Sequence, residues 1–190
     1  MISIISPQEF KTMPWKNGRG ETIELSINEG GTPEKFDWRI SMASVIEDGP
    51  FSDFSGYERA LILVKGNGIS LLQDGNRTVE LTKFLDVVKF DGSLKTSGIL
   101  RSGPINDFNV IADKKKYQIT VRTYVRRVDV DLRSAYLTFV YSLSGDANIS
   151  SPNGTENFHL SYGSLMKITQ LSKNFVISGQ QLIIASLNAV

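Results

Sequence analysis

Two residue types that carry common chemistry are scarce or missing in this chain. Its 190 residues include no cysteine and a single histidine, His159. The lack of cysteine excludes disulfides, thiolate metal sites and cysteine nucleophiles, and it suits a reducing compartment. A lone histidine cannot supply the imidazole cluster of a usual metal centre, and no motif gives it the serine and acid of a catalytic triad. We therefore expect no metal and no cofactor.

An excess of one charge and long apolar runs are also lacking. Basic and acidic residues number 21 and 20, which gives a net charge of +1 and no electrostatic attraction to nucleic acid or to an anionic membrane. The first segment, MISIISPQEF, has no basic start, and its apolar run ends at Pro7, so we expect neither a signal peptide nor a spanning helix. The composition predicts a cytoplasmic protein without a nucleic-acid or membrane partner.

Helical periodicity is rare, and a strand pattern takes its place. Only the stretch SPQEFK, residues 6–11, resembles a helix start, and we expect one short turn there. Elsewhere apolar and polar residues alternate in about a dozen short segments separated by turn signals. Examples are TIELSIN (22–28), FDWRISMASV (36–45) and YQITVRTYVR (117–126). This pattern predicts an all-β fold, either a sandwich or a barrel.

The strand pattern falls into two sets. The run Lys114 to Lys116, which is typical of a solvated turn, separates them. We predict two closely joined units, residues 1–112 and residues 113–190, with a ligand pocket in the first. The chain is long enough to bury a core without disulfides or metals.

Three predicted strands each carry polar residues on one face. Alternation places Arg39 with Ser41, Tyr57 with Arg59, and Asp107 with Asn109. If these faces point into one cavity, they form a small-molecule site in an apolar barrel. If they point outward, they form a solvated sheet face. A buried ion-pair network that joins a loop to the barrel is a further alternative.

Five segments, taken in order, resemble the HutD/Ves family. They are MPWKNGRGET (13–22), FDWRIS (36–41), DGPFSDFSGYER (48–59), FDG (90–92) and GPINDFNV (103–110). The resemblance covers roughly residues 7–112, and Arg19 departs from it because the family has another glycine there. It implies a cupin-like bicupin, two fused β-barrel units of the RmlC-like jelly-roll type. It also implies an association with histidine utilisation or stress-related genes, and binding of a small carboxylate such as formate or a formylated glutamate.

Our first hypothesis is a non-enzymatic, metal-free binding module for a small anionic metabolite. Arg39 and Arg59 would pair with its carboxylate, because a guanidinium offers two donors to that planar group. Ser41 and Asn109 would add neutral hydrogen bonds, and Asp107 would orient an arginine. Trp15 would form a wall at the mouth, and Lys16 and Asn17 would contribute polar groups from the loop. The predicted ligand-binding residues are Trp15, Lys16, Asn17, Arg39, Ser41, Arg59, Asp107 and Asn109.

Two other hypotheses stay open. One is a metal-independent enzyme of the isomerase or epimerase type that acts on a small acid or sugar derivative. Its proton-transfer candidates are Lys16, Asp107 and Tyr57. The other is an interaction protein whose barrel is only a scaffold. Whether the chain forms a homodimer is not decided by any sequence feature.

Overall fold

The computed structural model of the chain describes residues 1–15, 18, 20–170 and 174–190. Within these ranges the regular elements are strands, apart from one 3-10 turn at Pro7–Glu9, so the all-β prediction is confirmed. The backbone N–H and hydroxyl of Ser6 donate to the Glu9 carboxylate at 2.8 and 2.9 Å. This is the capping arrangement that SPQE predicts. No helix among the described residues is long and apolar enough to cross a membrane.

The described residues form nineteen strands. They are β1 (Ile2–Ile5), β2 (Lys11–Pro14), β3 (Gly20–Ile27), β4 (Trp38–Val45), β5 (Gly49–Pro50), β6 (Tyr57–Lys65), β7 (Ile69–Gln73), β8 (Arg77–Leu81), β9 (Val87–Asp91), β10 (Thr96–Leu100), β11 (Ile105–Asp113), β12 (Tyr117–Tyr124), β13 (Val128–Leu132), β14 (Leu137–Ser142), β15 (Ala147–Ser150), β16 (Asn157–Leu160), β17 (Leu165–Thr169), β18 (Phe175–Gly179) and β19 (Leu182–Ala189).

By their contacts these strands divide between two compact units. The N-terminal unit comprises Phe10–Gln118 with Val190, and the C-terminal unit comprises Met1–Glu9 with Ile119–Ala189. The first strand of the chain belongs to the C-terminal unit because β1 pairs antiparallel with β17. The division at residue 112 stays a prediction.

The N-terminal unit consists of two antiparallel sheets. The larger has the order β2-β3-β4-β11-β6-β9, and the smaller has the order β5-β10-β7-β8. Leu61 and Leu63 of β6 pack with Ile69 and Leu71 of β7 in a buried apolar cluster. Because side chains alternate along a strand, the other residues on that face of β6 also point into the interior. This fixes the direction of Arg59.

The C-terminal unit repeats this plan with different interior residues. Its sheets have the orders β1-β17-β14-β19-β12 and β13-β18-β15-β16. The core cluster is aliphatic and aromatic, and it includes Val140, Met166, Phe175, Leu182 and Ile184.

Candidate ligand-binding site

The register of three central strands collects polar residues on the inner face of the larger N-terminal sheet. Asn109 of β11 lies opposite Ser41 of β4, and Ile111 lies opposite both Arg39 of β4 and Arg59 of β6. Asp107 lies one row further along β11. The period of two therefore brings residues from distant parts of the chain onto one surface.

These rows line a cavity of about 820 Å³ within the N-terminal unit. Six of the eight predicted ligand-binding residues are in its lining, namely Trp15, Arg39, Ser41, Arg59, Asp107 and Asn109. The other two, Lys16 and Asn17, lie outside the described residues, as does Arg19. Apolar side chains of the segments before β3 and β6 contribute further walls.

Arg59 is a buried cation, 6% exposed, that is held mainly by aromatic rings. Its guanidinium carbon lies 5.0 Å from the ring centre of Phe54, 5.2 Å from that of Phe90 and 5.4 Å from that of Phe51. Nη2 donates to Oδ1 of Asn109 at 3.1 Å, and Nε is buried without a hydrogen-bond partner among the described residues. Burial lowers the pKa of Arg59 to about 10, which leaves it cationic at neutral pH.

Asp107 is more deeply buried, at 1% exposure. Its carboxylate accepts hydrogen bonds from Nδ2 of Asn109 and from the backbone N–H of Ala43. Burial raises the pKa of Asp107 to about 6, although the charge of Arg59 and both hydrogen bonds act in the opposite direction. Asp107 therefore changes its charge close to neutral pH.

Asn109 joins the two charged residues. Its carbonyl oxygen faces the cation of Arg59, and its amide nitrogen faces the anion of Asp107. Each end of the amide thus meets the charge that suits it, which fixes the orientation of the side chain. Arg59 and Asp107 are connected through a neutral group.

Arg39 has a different environment, because its Nε donates directly to Oε2 of Glu24 at 2.9 Å. Both side chains of this ion pair are 8% exposed. Glu24 is absent from the set predicted from the sequence. The available signal was its place in TIELSIN, where alternation puts it on the face of Thr22, a residue of the cavity wall. Nothing local identified Arg39 as its partner.

The aromatic wall is also fixed by specific contacts. Nε1 of Trp15 donates to the hydroxyl of Thr22 at 2.9 Å. A Cβ at Gly20 would collide with the carbonyl oxygen of Ser44 and would lie 3.1 Å from the Trp15 ring, so this approach requires glycine. The hydroxyl of Tyr57 donates to the carbonyl of Phe36 at 2.8 Å, which occupies its proton.

Comparison with known proteins assigns the chain to a family. Residues 7–185 match the model of the HutD family. The chain belongs to the HutD family. A relative from Pseudomonas putida, described as an uncharacterized 21.2 kDa protein in the hutC 3′ region, is 36% identical over 65% of this chain and 64% of its own length. Protein Ves from Escherichia fergusonii is 33% identical over 61% of this chain and 64% of its own length.

A solved HutD structure extends the likeness to the whole chain. HutD from Pseudomonas fluorescens SBW25, determined in a formate condition, has 27% sequence identity and a TM-score of 0.84, with full coverage of both chains. The cupin-like bicupin prediction is thereby confirmed. The chain spans just under two thirds of the length of these curated relatives.

His159 lies in the C-terminal unit of this HutD-family chain, with its side chain exposed on β16. Its Nε2 is 3.1 Å from Oδ2 of Asp146, and its Nδ1 is 3.2 Å from Oδ1 of Asn148. Across the described ranges, no group of three or more His, Cys, Asp or Glu side chains is arranged to hold a metal ion.

Proposed function

We propose that this HutD-family chain binds the carboxylate of a small organic acid in the cavity of its N-terminal unit, with Arg59 as the principal anchor. The observation that carries this proposal is the buried guanidinium of Arg59, for which the described residues provide one hydrogen-bond acceptor, the neutral amide oxygen of Asn109. A buried cation with unused donors is costly unless an acceptor is supplied, and a carboxylate supplies two. Arg59 lines the cavity, where such an acceptor has access.

Arg39 is the weaker candidate for this role. Its charge is already compensated by Glu24 at 2.9 Å, so a second anion gains less there than at Arg59. We propose that Arg39 and Ser41 contact the remainder of the ligand through hydrogen bonds. This assignment gives the two arginines different functions.

The size of the cavity favours an acid larger than formate. Sites of 300–1,000 Å³ typically enclose drug-sized ligands, whereas formate has three non-hydrogen atoms. Trp15, Phe51 and Phe54 would cover an apolar or planar part of a ligand in this volume of about 820 Å³. We propose that formate represents one group of a larger acid, such as a formylated glutamate.

The relatives support a role in histidine utilisation. The Pseudomonas putida protein is described by its position near hutC, and the solved structure carries the name HutD. We propose that this chain retains an acidic metabolite in the cytoplasm, and so limits the pathway, without converting it.

A binding screen tests this proposal. Formate, acetate, N-formyl-L-glutamate and urocanate should be compared by thermal shift, followed by calorimetric titration of each acid that raises the melting temperature. At least one acid should bind, and Arg59→Gln should weaken that binding by about 100-fold, which corresponds to the loss of one charged hydrogen-bonding anchor. The matched control is Arg101→Gln, because Arg101 forms an exposed pair with Glu80 outside the cavity. Failure of every acid to bind, or full retention of binding in Arg59→Gln, contradicts the proposal.

A second candidate function rests on Asp107. A buried carboxyl group with a pKa of about 6 on a cavity wall is suited to proton transfer at carbon. A metal-independent isomerase or epimerase would use it as the base. Incubation of the same acids with the protein in D₂O, followed by NMR, distinguishes the two functions: an enzyme exchanges a substrate C–H for deuterium and loses that activity in Asp107→Asn, whereas a binding module exchanges none.

A further inference from the structure

We propose that the cavity takes up one proton together with the anion, and that the carboxyl group of Asp107 holds this proton. The inference rests on the proposed function, and it adds a second binding site to the same cavity. The anion would bind at Arg59 and the proton at Asp107, so the net uptake would equal one neutral acid molecule.

The argument begins with the balance of buried charges. Among the described residues the buried side chains of arginine, lysine, aspartate and glutamate are two arginines and two carboxylates, Arg39, Arg59, Glu24 and Asp107. Their charges cancel when all four are ionised. An added anion leaves the buried site with one excess negative charge, and burial strongly disfavours an uncompensated charge. Protonation of one carboxylate restores the balance.

Asp107 is the carboxylate that can accept this proton most readily. Glu24 is in direct contact with the guanidinium of Arg39 at 2.9 Å, and the pair does not depend on Arg59. Asp107 reaches Arg59 only through the amide of Asn109. An anion that binds Arg59 directly takes over the compensation of its charge, and Asp107 loses the favourable interaction that keeps it ionised.

The other charged groups that face this part of the cavity do not take over the role. Arg59 lies on β6, and Arg39 of β4 is paired with Glu24 of β3. Glu34 and Asp53 belong to the loops at the mouth, and both are exposed to water, which screens their charge. Hydrogen bonds from Ser55 lower the pKa of Asp53, so it stays ionised at neutral pH.

The state of Asp107 without a ligand agrees with this assignment. Its pKa of about 6 means that protonation near neutral pH requires only a modest further shift. On binding, a solvent proton forms an O–H bond on the Asp107 carboxylate. The neutral carboxyl group can still accept from Nδ2 of Asn109, and it gains a donor that can point to the bound anion.

The expected consequence is a coupling between pH and affinity. If the anion binds the form with neutral Asp107, the dissociation constant rises about tenfold for each pH unit above the pKa of Asp107. In Asp107→Asn the side chain is neutral at every pH, so the affinity should be constant between pH 6 and 8. At pH 8 the variant should bind about 100-fold more tightly than the wild type, because pH 8 lies about two units above the wild-type pKa of about 6.

The test is calorimetric titration with formate and with benzoate, whose only titratable group is its carboxyl. At pH 7.5, titrations in phosphate and in Tris differ in buffer ionisation enthalpy, so the change in apparent enthalpy gives the number of protons taken up. The wild type should take up close to one proton per acid, and this number should fall toward zero at pH 5. Asp107→Asn should take up none. Asp53→Asn, which removes a carboxylate at the mouth, should take up the same number as the wild type.

Each outcome supports or overturns the inference. Binding without proton uptake in the wild type overturns it and leaves the proposed function intact, and uptake that persists in Asp107→Asn overturns the assignment to Asp107. If neither these two acids nor any acid of the screen binds at any pH, the proposed function fails as well. If the variant does not fold, the wild-type buffer comparison still decides, and a ¹³C NMR titration of the Asp107 carboxyl should show a higher pKa with benzoate than without it.

Discussion

The two units have a similar arrangement of sheets and differ in the side chains of their interiors. Each pairs a larger sheet of five or six strands with a smaller sheet of four. In the N-terminal unit the larger sheet directs arginine, aspartate and asparagine side chains into a cavity. At comparable depth the C-terminal unit has Val140, Ile168 and Ile184, packed in an apolar cluster. Closing such a sandwich therefore does not require charged residues inside it.

The two units also differ in the hydrogen bonding of their buried polar groups. In the C-terminal unit these groups are hydroxyls: for example, Ser142 donates to the carbonyl of Gly145 at 2.8 Å, and the Thr138 hydroxyl lies 3.4 Å from the Ser186 hydroxyl. The described buried side-chain atoms without any partner belong to Arg59 and Gln73, both in the N-terminal unit. Unsatisfied buried groups reduce stability, so these two side chains lower the stability of the N-terminal unit unless a partner is supplied.

A matched pair of isoleucine substitutions should give the largest effect on stability and tests the contrast between filled and hollow interiors. Ile184 is 1% exposed in the C-terminal core, and Ile111 is 2% exposed on the cavity wall. Ile184→Ala opens a new void and should lower the free energy of unfolding by about 3–4 kcal/mol. Ile111→Ala enlarges an existing cavity and should cost about 2 kcal/mol, mostly lost burial. Urea unfolding followed by circular dichroism measures both, and equal costs would contradict the contrast.

The next effect is a pH dependence that belongs to the N-terminal unit. The folded-state pKa of Asp107 is about 6, above its ordinary value of 3.8, so the native state binds this proton more tightly than the unfolded state. The stability contributed at low pH is therefore lost as the pH rises from about 4 to about 6, and the loss is about 3 kcal/mol at most.

Urea unfolding between pH 4 and pH 8 measures this loss. Fluorescence follows the relevant unit, because both tryptophans of the chain, Trp15 and Trp38, lie in it. Asp107→Asn should remove the decline and should be more stable than the wild type at pH 8. A decline of equal size in the variant would show that another group causes it.

Much of the cavity could be predicted from sequence because its central signal is local. Alternation along single strands identified Arg39, Ser41, Arg59, Asp107 and Asn109 as residues on common faces, and the structure places all five in the cavity wall. Alternation could not decide whether those faces point inward. That depends on how the second sheet covers them, which is a property of contacts between distant segments.

The features that the sequence did not predict share this long-range origin. The partnership of Glu24 with Arg39 depends on the register of β3 against β4, which shifts between Glu24 and Ser26. The rings around Arg59 come from a loop and from a strand far along the chain. Likewise, the short apolar run at the start of the chain gives no indication that its partner is β17.

Gln73 allows the smallest and most selective test of the contrast between the units. Its side chain is 1% exposed, follows Ile69 and Leu71 on the inner face of β7, and has neither amide atom hydrogen-bonded to a described residue. Gln73→Met keeps the length of the side chain and removes the buried amide, so it should raise the free energy of unfolding by about 1 kcal/mol and leave acid binding unchanged. Urea unfolding and calorimetric titration measure the two quantities. A loss of stability would mean that the amide is satisfied in solution, and a loss of binding would extend the site to the smaller sheet.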